Sequence, residues 1–250
     1  MHRLDPRHPV IYAAAGTDEL PYLAEHVPSL DIIGVNDYGS PIRVDGRWKS
    51  LFKIPYMMTE FGPIGPWDLP KDDNGRFMEP NDYTKAAQYR NYWKLVKERK
   101  GNNLGGFAFH LGETTQETLT CYNINYHSLK KQPFIALQQL YRGVKDLDQA
   151  PRIRSFTGVP QSIRAGQSFE VNLEAEDPEG QTLRYDYLAS TAIEGVLAYK
   201  VNTELPLKTQ GSGARVVLKA PSQPGLYRVY GVVQDTSGNA ATLNHTMRVQ

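Results

Sequence analysis

Two hydrophobic textures share this chain, and they change over near Pro151. Before that point, short continuous apolar runs are separated by stretches of helical periodicity; beyond it, apolar and polar residues alternate one by one. Continuous runs suit strands covered on both faces, whereas alternation suits strands with one face on a core and one in water. The chain therefore reads as an α/β domain over residues 1–148 and an all-β domain over 149–250.

In the first part, residues 10–16 (Val-Ile-Tyr-Ala-Ala-Ala-Gly) predict a buried strand, followed by a helix capped by Thr17 or Asp18 with Pro21 in its first turn. Residues 31–39 predict a second strand ending in polar residues, and residues 48–52 a short helix. A third strand, Pro55-Tyr56-Met57-Met58-Thr59-Glu60-Phe61-Gly62, ends on a carboxylate and breaks at glycine. Asn81 or Asp82 caps the clearest helix, whose Tyr83, Ala86, Ala87, Tyr89, Tyr92, Trp93, Leu95 and Val96 recur at helical spacing. Residues 104–110 predict a fourth strand and residues 133–144 a final helix. Strand–helix repeated in this way gives a parallel sheet, and four units are half of an eightfold barrel.

In the second part, residues 168–175, 183–188, 214–218 and 227–233 predict strands. Turn signals at Asp177-Pro178-Glu179-Gly180, Ser222-Gln223-Pro224-Gly225 and Asp235-Thr236-Ser237-Gly238-Asn239 separate them. The size and spacing predict an antiparallel, immunoglobulin-like sandwich. Asp177, Glu179 and Asp235 are read either as turn-forming acids or as ligands for calcium between strands.

Composition narrows the function. A net charge of +1 with both signs mixed argues against nucleic acid and against a polybasic membrane surface. No apolar run reaches membrane-spanning length, and the first residues lack a signal-peptide core. The single cysteine, Cys121, excludes an internal disulfide and a cysteine-rich metal site. His110, His127 and Glu113 lack a metal-ligand spacing, so no metal and no cofactor is expected.

Glu60 is the residue on which function turns. A carboxylate at the C-terminal end of a parallel strand stands where α/β barrels place their chemistry, although a solvated strand-end glutamate has the same sequence. The following loop carries Trp67 between prolines, which reads as a platform for a sugar ring or as a loop anchor.

At this point the motifs resemble those of a known family. Leu4-Asp5-Pro6-Arg7-His8-Pro9-Val10, Asp31-Ile32-Ile33-Gly34-Val35-Asn36-Asp37-Tyr38, Thr59-Glu60-Phe61-Gly62 and Gly105-Gly106-Phe107-Ala108-Phe109 resemble the fifth to eighth strands of glycoside hydrolase family 2 barrels. Residues 174–180 and 233–240 resemble PKD- or cadherin-like modules appended to secreted bacterial glycosidases. The resemblance implies a partial TIM barrel (strands 5–8) in a retaining O-glycosidase, secreted or periplasmic, acting on an oligosaccharide or polysaccharide. It implies Glu60 as nucleophile and Tyr38 as its hydrogen-bond donor. Asn36, Trp67, His110 and Glu113 become candidate substrate contacts. It also places the family's acid/base glutamate, which follows an asparagine on the fourth strand, ahead of residue 1. No Asn-Glu pair occurs in residues 1–150. His110 and Cys121 depart from the tryptophans expected near the eighth strand. The partner is then a missing N-terminal barrel half or a second copy forming a homodimer. The alternative is a non-catalytic half-barrel and sandwich that binds carbohydrate or mediates assembly.

Overall fold

The computed structural model describes residues 1–39, 42–99, 102–195 and 202–250. They form two compact units, residues 1–65 with 88–109 and residues 66–87 with 110–250. The boundary expected near 149 falls inside the second unit, because residues 66–87 and 110–148 group with the sandwich.

The first unit holds four parallel strands in chain order: β1 (Ile11–Ala14), β2 (Ile32–Tyr38), β3 (Tyr56–Gly62) and β4 (Asn103–Ala108). Helix α1 (Leu20–His26) follows β1 and α2 (Ile42–Leu51) follows β2. The cap expected from Thr17 or Asp18 falls instead to Glu19, whose side chain makes no cap bond. Helix α2 is longer than the short helix expected at 48–52. Helix α3 (Asp82–Glu98) starts where Asn81 Oδ1 accepts the backbone N–H of Thr84 at 2.9 Å.

One face of this sheet is a dense core. Ile33, Val35, Tyr56, Met58 and Phe61 are fully buried, and the Phe61 ring stacks on Tyr92 and Trp93 of α3 with centroids 4.9 and 5.7 Å apart. The two edge strands are less well covered, with Ile11, Tyr12, Leu104 and Phe107 exposed.

The second unit is built on two packed sheets. One orders β11 (Leu205–Pro206), β10 (Arg184–Thr191), β14 (Gly225–Gln234), β15 (Ala240–Val249) and β8 (Ser162–Ile163). The other orders β12 (Thr209–Gln210), β13 (Arg215–Lys219), β9 (Ser168–Glu176) and β7 (Arg152–Thr157). Phe156, Phe169, Val171, Leu173, Leu218, Val229 and Met247 fill the space between them. The sandwich is not wholly antiparallel as expected, since β8 pairs with β15 in parallel. A two-residue hairpin pair, β5 (Asn125–Tyr126) and β6 (Leu129–Lys130), precedes α4 (Gln132–Arg142), which closes at the left-handed Gly143.

The five-stranded sheet is covered on its second face too. Residues 227–233 of β14 are all buried, and Tyr230 and Val232 pack with Leu119, Tyr126 and Leu188 in a separate cluster. Beside that cluster lies a charged network. Glu79 accepts from Lys85 Nζ at 2.5 Å, from the Thr118 and Thr120 hydroxyls at 2.8 Å, and from Asn244 Nδ2 on β15 at 2.8 Å. Lys131 Nζ pairs with Asp82 Oδ1 at 2.8 Å, while Asp82 Oδ2 accepts the backbone N–H of Thr242 at 2.9 Å. Two carboxylates and two ammonium groups are thus buried together with their charges balanced, which is what makes their burial tolerable. Arg228 on β14 is likewise buried, donating to Glu194, Asn244 and the Phe77 carbonyl.

Candidate functional site

The parallel pairing of β2 with β3 runs Ile33 to Tyr56, Gly34 to Met57 and Val35 to Met58, and then jumps to Asn36 opposite Glu60. Thr59 is the extra residue. The pairing of β3 with β4 skips at the same place, from Met58 opposite Gly106 to Phe61 opposite Ala108. A bulge of this kind re-aims the side chains beyond it, because successive residues of a strand face opposite ways. Without Thr59 as an insertion, Glu60 would fall opposite Asp37 and share its buried, helix-covered face. With it, Phe61 takes that face and Glu60 joins Asn36 and Tyr38.

The result is a compact polar constellation at the C-terminal ends of adjacent parallel strands. Tyr38 Oη donates to Glu60 Oε2 at 2.6 Å. Thr59 Oγ1 donates to Asn36 Oδ1 at 2.7 Å, fixing the amide beside the carboxylate. The Tyr38 ring meets Phe109 edge to face at 6.2 Å. Tyr38 thus fixes one of the two carboxylate oxygens of Glu60. This geometry suits a nucleophile held in one orientation.

Asp37 belongs to the other face. Burial pushes its carboxyl up to about 6, against the opposing effects of a 3.2 Å hydrogen bond from Tyr92 Oη and the charge of Arg43. Its bond to the covering helix turns it away from Asn36 and Tyr38, so its raised value belongs to the core rather than to the Glu60 cluster. Neither Asp37 nor Thr59 was singled out by sequence. The bulge that gives both their roles has no local sequence signature.

Three further expected residues lie in the second unit. Trp67 is in a 3₁₀ turn, Pro66–Asp68, and is well exposed. His110 follows β4 and is tied through its backbone, donating to the Tyr122 carbonyl at 3.0 Å and accepting from Ile124 at 3.2 Å. Glu113 Oε1 lies 3.0 Å from His127 Nδ1. The structure thus joins Asn36, Tyr38 and Glu60 in one cluster of the first unit, while Trp67, His110 and Glu113 belong to the second. Among the described residues, no group of three or more His, Cys, Asp or Glu is arranged to hold a metal ion.

No protein-family model matches the chain, and no curated protein does. Among solved structures, the PKD domain of an M14-like peptidase from a Thermoplasmatales archaeon is 18% identical, spans 42% of this chain and 98% of its own, and superposes with a TM-score of 0.25. PcoC, a methionine-rich copper resistance protein from Escherichia coli, is 14% identical over 40% of this chain and 99% of its own, with a TM-score of 0.24. A family 39 glycoside hydrolase from Bacteroides cellulosilyticus is 10% identical over 94% of this chain and 52% of its own, with a TM-score of 0.35. The resemblance to family 2 glycoside hydrolases therefore rests on the sequence motifs alone.

Proposed function

We propose that the chain carries the C-terminal half of a (β/α)8 barrel of a retaining glycoside hydrolase, followed by a PKD- or cadherin-like sandwich, in a secreted or periplasmic parent protein. The observation that carries this reading is the 2.6 Å hydrogen bond from Tyr38 to Glu60 across adjacent strand ends, with Asn36 in register beside it. In this mechanism Glu60 Oε1 attacks the anomeric carbon of the bound sugar as the aglycone oxygen leaves, forming a glycosyl ester. Tyr38 holds the carboxylate's other oxygen and so sets the line of attack. Asn36, fixed by Thr59, offers its amide N–H groups to a sugar hydroxyl. Trp67, His110 and Glu113 are proposed as further substrate contacts.

Retention needs a second carboxyl group about 5–5.5 Å from the nucleophile to protonate the leaving group and then deprotonate water. We assign that group to a complementary barrel half, an N-terminal one or a second copy. The sheet's form supports this: among the described residues β1 and β4 are its two edges, with Ile11, Tyr12, Leu104 and Phe107 exposed on them. Closure into a barrel removes such edges.

The test uses chemistry that needs only the nucleophile. A 2-deoxy-2-fluoro glycoside with a dinitrophenolate leaving group departs without protonation and leaves a long-lived ester. Mass spectrometry should find one glycosyl adduct on Glu60 and none on Glu60→Gln. Sugar binding without an adduct in either protein supports the non-catalytic binding module instead.

A further inference from the structure

In the sandwich, Lys208 and Lys219 stand directly opposite one another. Thr209 pairs with Leu218 in the antiparallel ladder of β12 and β13, and the Lys219 N–H, donating to the Lys208 carbonyl at 3.0 Å, carries that ladder one residue further. Both lysines are exposed, and both line one cavity of about 420 Å³. Like charges facing each other across an antiparallel pair cost stability. No counter-charge offsets this among the described residues. The lysine ion pairs there are those of Lys49, Lys85, Lys94 and Lys131, and no acidic residue lines the cavity. Two ammonium groups set together in this way break a local rule, and such departures concentrate at functional sites.

The remaining lining shows what kind of molecule would bring the missing charge. Leu205, Pro206, Pro221 and Tyr227 supply apolar wall, while Ser222 and Gln223 add short polar side chains. The walls are tied to one another. The Gly166 N–H donates to the Pro221 carbonyl at 3.1 Å, the Ala220 N–H to the Gln167 carbonyl at 2.9 Å, and Tyr227 Oη to the Gln223 carbonyl at 3.0 Å. The cavity is therefore preformed, and its size is within the range of small-molecule sites. It is poorly made for an extended peptide, because Pro206 and Pro221 have no N–H and the edge strand β11 is two residues long. A sugar ring bearing a carboxylate matches every part of it. The C–H face meets the apolar wall, hydroxyls meet Ser222 and Gln223, and the carboxylate lies with the two ammonium groups.

We propose that this cavity binds a uronic acid residue of an acidic polysaccharide, with Lys208 and Lys219 together pairing its carboxylate. The proposal rests on the carbohydrate reading above and adds the class of sugar to it. It needs no chemistry at Glu60, so the two are tested separately.

The probe is trigalacturonic acid, titrated into the ¹⁵N-labelled full chain and followed by amide chemical shifts. Signals of residues 207–208 and 219–223 should move, and should move less in about 0.5 M salt, which screens exposed charges. Galactotriose, the neutral counterpart, and tri-glutamate, an acidic peptide, should both bind more weakly. Lys208→Gln and Lys219→Gln should each weaken binding about two- to fivefold, as loss of one exposed charge pair allows. Neither should lower the melting temperature, because each relieves the like-charge contact. Glu60→Gln should show the wild-type shifts at these residues. Absence of the shifts, equal binding of either control, unchanged affinity in both lysine variants, a lower melting temperature in either, or loss of the shifts in Glu60→Gln overturns the proposal.

Discussion

Gly62 lies directly beneath Tyr38: a β-carbon at position 62 would stand 3.0 Å from two carbons of the tyrosine ring. The glycine that ends β3 is thus the floor on which the ring rests while its hydroxyl reaches Glu60. Gly62→Ala should tilt the ring and lengthen that bond, whereas Tyr38→Phe removes the bond and leaves the ring. A hydrogen bond to a charged group contributes roughly 1.5–3 kcal/mol, so Tyr38→Phe should slow formation of the glycosyl adduct about ten- to a hundredfold. Gly62→Ala should lie between this variant and wild type. Rates of adduct formation by mass spectrometry measure both.

Asp37 should make the first unit less stable at neutral pH than in mild acid. Its carboxyl ionises at its ordinary 3.8 in the unfolded chain and at about 6 when buried. Between these values the folded state binds more protons, so the contribution is whole below 3.8 and is lost as pH rises through about 6. Asp37→Asn keeps an acceptor for Tyr92 and never ionises. It should raise stability at pH 8 by on the order of 1–3 kcal/mol and change little at pH 3.5. Urea unfolding in a Trp67→Phe background reads this, because the remaining tryptophans, Trp48 and Trp93, both belong to the first unit.

The parallel strands were legible in sequence because both faces of the sheet's centre are apolar and its polar ends coincide with glycine. Strand β9 was legible for the opposite reason, with Phe169, Val171 and Leu173 inward and the residues between them outward. Strand β15 was missed. Its Thr242, Asn244 and Thr246 look like solvated residues but are buried, bonded to Asp82, Glu79 and Asp72 respectively. Ala241, Leu243, Met247 and Val249 alternate with them and face the sandwich core, so the strand does carry a period of two, interrupted only by His245. Asn36, Tyr38 and Glu60 were recognisable from their motifs.

The buried network of Glu79 should be costly to break. Burial pushes its carboxyl up, but Lys85 and Lys131 outweigh this and hold it at about 2, below its ordinary 4.5. Its contribution is therefore whole above 4.5 and is lost as pH falls through about 2. Lys85→Met strands a buried carboxylate and should destabilise the second unit by roughly 3–5 kcal/mol at pH 7. The deficit should shrink in acid, where Glu79 can take up a proton. Calorimetry of wild type and variant at pH 7 and pH 4 tests both the size and the direction.

Cys121 offers a probe of the same region. Burial pushes its thiol up to about 12, so native protein should resist thiol reagents at pH 8. Labelling should follow opening of the second unit and speed up in Lys85→Met. Mass-spectrometric counting of modified chains over time gives the opening rate.

Thr59 contributes less through its hydroxyl than through its place in the numbering of β3. One residue more or fewer before it would exchange the neighbours of Glu60 and Phe61, sending the acid under α3 and the aromatic ring to the open face. Correspondence with any other protein must therefore be judged at the level of strand parity: a glutamate aligned with Glu60 is its counterpart only if the insertion is aligned as well. The site is written in a count as much as in an identity.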